Sequence, residues 1–190
     1  MNVIGLKIVL VAALTALSID HLAAGQDWHA ADAATIRLKP SSFPELPMTV
    51  RRYLERRGCE IPQAFSDMAP HNVVRGRFTS STQTDIAVLC SKARVSTVLV
   101  FRGGTTSAVA ELAQHPDEGF LQVVDAAGVV GYSRALGVAT PSYIREHYAA
   151  YGGPKPPPMD HDGVNDIFVE KASVVWYWDH GRWLQLQGAD

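Results

Sequence analysis

Three aspartates, Asp160, Asp162 and Asp166, fall close together around Gly163 in the run Asp160-His-Asp162-Gly163-Val-Asn-Asp166-Ile-Phe-Val169. Closely spaced carboxylates on a glycine-containing loop supply the hard oxygen ligands that calcium takes. The same residues can instead make a polar turn, their side chains accepting from nearby backbone N–H groups. Other candidates for chemistry are sparser. Ser133 lies in Gly131-Tyr-Ser133-Arg-Ala135, which has the Gly-x-Ser spacing of a nucleophile elbow but ends on alanine; an elbow also needs a strand before it and a helix after it. The seven histidines form no His-x-x-x-His, His-Glu-x-x-His or Cys-His grouping of the kind that holds zinc. Gly103-Gly104 lacks the Lys-Ser/Thr that completes a phosphate loop.

The only two cysteines, Cys59 and Cys90, sit in neither a Cys-x-x-Cys nor a metal-ligand spacing. Their reading depends on the compartment, which the N-terminus indicates. Lys7 precedes a 12-residue apolar run, Ile8 to Ile19, followed by small residues with Ala23 and Gly25 placed for cleavage before Gln26. That layout predicts a signal peptide over residues 1–25. The run is shorter than the roughly 18–20 residues that span a bilayer, so no stable membrane span is expected in the mature chain. Export to an oxidising compartment predicts a Cys59–Cys90 disulfide, closing a loop of about 30 residues and stabilising the fold by ~3–4 kcal/mol. The expected location is secreted or periplasmic.

Composition sets the frame that positions these residues. The chain has 190 residues, 47% hydrophobic and 19% charged, with a net charge of −2. This is a globular composition, neither disordered nor fibrous. Seventeen Lys and Arg against 19 Asp and Glu leave no cationic excess to neutralise phosphates, so no nucleic-acid partner is expected. Residues 26–42 lack periodicity and read as a flexible arm; residues 43–190 read as a single domain. Within it, Leu46, Val50 and Leu54 recur at helical spacing and Gly58 follows as a C-cap. β-Prone runs cover 73–79, 85–90, 96–101, 108–112 and 120–124. Thr140-Pro141 opens a second helix carrying Tyr143, Ile144, His147, Tyr148 and Tyr151. Gly152-Gly-Pro-Lys-Pro-Pro-Pro158 is a stiff connector. A last hairpin, 173–178 and 182–187, turns at Asp179-His-Gly181 and carries Trp176, Trp178 and Trp183, whose usual place in so small a sheet is the core, with a carbohydrate-stacking platform as the other reading. The expected fold class is α+β: a mainly antiparallel sheet of hairpins with about two packed helices.

An internal similarity crosses this pattern. Thr84-Asp-Ile-Ala-Val88 with Ser96-Thr-Val-Leu-Val-Phe101 lies over Asn165-Asp-Ile-Phe-Val169 with Ser173-Val-Val-Trp-Tyr177, which predicts two related hairpins paired in one sheet. The aspartate run and its following strand resemble the loop and first strand of FG-GAP or VCBS repeats, as in integrin-type propellers, and Gly76-x-Phe78 resembles the opening of an earlier repeat. The resemblance covers about a third of the chain. It implies calcium ligation by Asp160, Asp162 and Asp166, with Gly163 as the turn. Pro158 stands at the first acidic position of the loop, and Thr79-Ser-Ser-Thr-Gln-Thr84 replaces the acids of the earlier copy, so the implied calcium site is a weak one. Two repeats are also too few to close a propeller.

The functional expectation is a non-enzymatic binding or interaction module at the cell envelope or outside the cell, its partner a protein or a glycan. The alternative is a small secreted hydrolase using Ser133, or the aspartate loop with a bound cation.

Overall fold

The structure, a computed structural model, describes residues 26–188; the signal peptide predicted over 1–25 lies outside them. Three α-helices and twelve strands follow in chain order: α1 (Trp28–Ala34), β1 (Arg37–Leu38), α2 (Met48–Arg57), β2 (Ile61–Pro62), β3 (Val73–Gly76), β4 (Asp85–Lys92), β5 (Val95–Phe101), β6 (Val109–Pro116), β7 (Leu121–Val123), β8 (Val130–Tyr132), β9 (Arg134–Ala139), α3 (Pro141–Tyr151), β10 (Gly163–Phe168), β11 (Ala172–Asp179) and β12 (Arg182–Gln187). Strands dominate, and every strand pairing is antiparallel.

The hairpins do not share one sheet. β3-β4-β5-β6 forms one four-stranded meander and β9-β10-β11-β12 another, with β1-β2 and β7-β8 as two-stranded accessories. Side-chain alternation along β4 explains how the layers stack. Ile86, Val88 and Cys90 face α2 with Leu99 and Phe101, meeting Val50 and Leu54. Ala87 and Leu89, with Val98 and Val100, face the second meander and meet Leu136 and Val164. The outer face of that second sheet, Val175, Tyr177 and Leu186, is covered by Ile144 of α3. Thus α2, two sheets and α3 stack as four layers, and β4 and β5 are buried on both faces. This is why both read as continuous apolar runs.

Both helices of the outer layers follow their sequence signals. Gly58 adopts a left-handed conformation (φ 74°) and closes α2, and the Thr140 side chain accepts from the Tyr143 N–H to open α3. The 26–42 segment departs from the expected flexible arm. α1 is short and alanine-rich, capped by Asp27, so it lacks the apolar period that would announce it; Arg37 then anchors the segment by bonding Asp32 and the buried Asp117.

The two similar segments take the same place in their sheets, the second and third strands, but in different sheets and in different registers. Ile86 pairs with Phe101 at the end of its hairpin far from the turn, whereas Ile167 pairs with Ser173 beside the turn. Gly76 is required by close approach: the Phe78 ring folds back over it where a Cβ would stand, and the ring is buried between the sheets.

Candidate functional site

The cysteines meet as expected. Cys59 and Cys90 are disulfide-bonded with Cα atoms 5.1 Å apart, tying the end of α2 to β4. No helix among the described residues is long and apolar enough to cross a membrane.

The three aspartates are not brought together. Asp166 lies on the inner face of β10 and makes a two-pronged bond to Arg134, Nε to Oδ1 and Nη2 to Oδ2, both 2.8 Å. Arg134 is fully buried. Its other donors go to the Ser96 hydroxyl and carbonyl and to the Ala113 carbonyl, and Phe120 stacks over it at 4.5 Å. Asp162 accepts from the Arg77 backbone N–H at 2.9 Å. Asp160 accepts from the Ser81 hydroxyl and pairs with His161, which holds its carboxyl below the usual range. The loop before β10 is thereby fastened to the loop before β4, across the two sheets. Among the described residues, no three His, Cys, Asp or Glu side chains cluster so as to hold a metal ion.

Asp85, the counterpart of Asp166 in the other copy, is also buried but has no ion pair among the described residues. It accepts from the Thr79 N–H and hydroxyl, Gln83 and the Gly103 N–H, so it organises the 79–83 loop. Ser133 is fully buried and its hydroxyl donates to the Gly131 carbonyl at 3.2 Å; the strand β9 follows it, not a helix.

Two residues unremarked in the sequence hold the interior. Asn72, at φ 71°, donates to the Pro62 and Arg134 carbonyls and accepts from the Leu136 N–H, joining the sheets. Tyr132 has its hydroxyl pushed well above the ordinary range by burial and by the nearby Asp117 carboxylate, with Ser96 opposing.

An aromatic groove lies beside the second sheet. The proline connector crosses the outer face of the second sheet beside α3, Gly153 lying against Leu186. On one side it faces Ile144, Arg145 and Tyr148 of α3 across a cleft of about 560 Å³. On the other, Pro154 and Pro157 face Trp176, Tyr177, Trp183 and Leu184 across a groove of about 760 Å³, with Lys155, Asp179, Arg182 and Gln185 in its lining. The tight turn His180-Gly181 sets Asp179 opposite Arg182. Burial, and Asp179 beside it, raise the Tyr177 hydroxyl above its ordinary value while Arg182 opposes. Trp176 and Trp183 also pack on the margin of the inter-sheet core, and Trp178 meets Trp183 edge-on at 5.5 Å. The packing of Trp176 and Trp183 is that of the core reading. Their Nε1–H groups have no acceptor among the described residues for Trp176 and Trp183. No family model, no curated protein and no solved structure matches the chain.

Proposed function

We propose that the protein is a non-enzymatic, glycan-binding module that acts outside the cytoplasm, with the groove between the proline connector and the β11–β12 hairpin as its binding site. The observation that carries this reading is the composition of that groove. Aromatic and proline walls offer flat apolar faces to the C–H faces of sugar rings. Asp179, Arg182 and Gln185 are planar groups that hydrogen-bond hydroxyls in both senses. Lys155 and Arg182 against Asp179 leave little net charge in the lining, which suits a neutral chain better than a nucleic acid or an acidic peptide. Proline fixes the backbone of the connector in advance, so little ordering is needed when a ligand enters. The disulfide and the leader-like N-terminus support the compartment.

Three of the four tryptophans lie on this hairpin, so intrinsic fluorescence reports on the groove. Titrating the chain with cello-, chito- and malto-oligosaccharides is expected to give a saturable emission change for at least one series, lost in Trp183→Ala. Emission that is unmoved by all of them rejects the reading.

A further inference from the structure

The cleft of about 560 Å³ between α3 and the proline connector has apolar walls. Tyr148 stands on α3, and Pro156, Pro157, Pro158 and Met159 form the facing wall. Tyr148 and Met159 pack on the outer core that contains Ile144, so the walls are held from below. Both side chains remain half-buried, as do Pro156 and Pro157.

Two cations complete the lining, Arg145 from α3 and Lys155 from the connector. Both are exposed, and neither has an ion-pair partner among the described residues. Glu146 and Asp160, the acids nearest to them in the chain, lie outside the lining, and Asp160 is engaged by Ser81 and His161. Long cationic side chains lay their stems on apolar surface and keep their charge in water. The cleft is thus an apolar trough with positive charge at its solvent edge, complementary to a molecule divided into an apolar body and an anionic end. The donors narrow that end further. Pro156, Pro157 and Pro158 have no backbone N–H to give, so the connector offers no nest of amides of the kind that gathers a phosphate. What remains is the planar fork of Arg145, which matches the two oxygens of a carboxylate, with the Lys155 ammonium as a point charge.

We infer that this cleft binds an aliphatic monocarboxylate, a fatty acid, its chain between Tyr148 and the proline wall and its carboxylate on Arg145 and Lys155. The volume falls within the ~300–1,000 Å³ of small-ligand sites. The proline wall is fixed before the ligand arrives, so little ordering opposes entry. This site is independent of the glycan reading. It shares Lys155 and Pro157 with the aromatic groove, whereas Arg145, Tyr148 and Met159 line the cleft alone.

The test is an NMR titration of the chain with octanoate and decanoate below their micellar concentrations, with decanol, decyltrimethylammonium and decyl phosphate to vary the head group. Decanoate is expected to give saturable shifts of the Met159 methyl signal and of the Arg145, Tyr148 and Met159 N–H signals, leaving the indole N–H signals of Trp176 and Trp183 in place. It should bind about five- to tenfold more tightly than octanoate, because two further methylenes leave water. Arg145→Gln, at an exposed position outside the groove, should weaken decanoate about tenfold and leave decanol unchanged, while Arg145→Lys keeps most of the affinity. The inference is overturned if decanoate moves none of these signals or only the indole ones, if any of the three other head groups binds as tightly, or if Arg145→Gln binds decanoate like the parent.

Discussion

Asp166 and Asp160 look equivalent in the sequence, and the fold gives them opposite stakes. Asp166 neutralises a fully buried arginine, so Asp166→Asn strands a charge in the interior and should cost about 3–5 kcal/mol in urea unfolding. Asp162→Ala removes one acceptor from the Arg77 N–H and should cost about 1 kcal/mol. Asp160, its side chain 77% exposed, should be replaceable by Asn with no measurable shift of the midpoint. Equal costs at the three positions would contradict this ranking. The clustering of the acids was legible in the sequence; their partners were not, because Arg134, Arg77 and Ser81 lie 32, 85 and 79 residues away. Glu111 adds a pH term. Its bonds to Arg57 lower its pKa in the folded state, so its contribution is complete above the unfolded carboxylate value of about 4.3 and is lost as pH falls through the folded value. The pair is half exposed, so the effect is small. Glu111→Gln should slightly lower stability in the neutral region and flatten the acid limb of a stability–pH curve, the two curves converging below the folded value of Glu111.

At the scale of elements, local chemistry decides how much can be read in advance. α2 and α3 announce themselves through Gly58 and Thr140-Pro141, and the last hairpin through His180-Gly181. α1 escapes because seven residues rich in alanine have no buried side chain to set a period. The β4–β5 turn escapes for a different reason: Ala93 and Arg94 both adopt positive φ, 51° and 63°, where Asn-Gly is the usual pair. Ala93→Asn should therefore stabilise the chain by roughly 0.5–1 kcal/mol, visible as a raised melting temperature. The disulfide acts near the same turn, since Cys90 pairs with Thr97 close to that end of the hairpin. Reducing Cys59–Cys90, which spans 31 residues, should lower stability by about 3–4 kcal/mol, measured with and without reductant; a shift near zero would mean that α2 is held by its apolar face alone.

The whole molecule places two four-stranded meanders face to face and gives each an outer helix. No local motif signals this, since the choice between one sheet and two rests on contacts such as Asn72 to Arg134 and Asp162 to Arg77 that only the folded chain brings about. With the loop aspartates already engaged, calcium is expected to leave the melting temperature unchanged, as is a chelator. The stack covers the outer face of the second sheet with α3 and the proline connector, and the groove between the connector and the β11–β12 hairpin stays open beside it. The most direct measurement is binding of the chain to a broad glycan array, with Trp183→Ala run beside it. The account predicts a restricted set of neutral glycans bound by the chain and lost by the variant. A blank array, or a variant that retains the parent's profile, would contradict it.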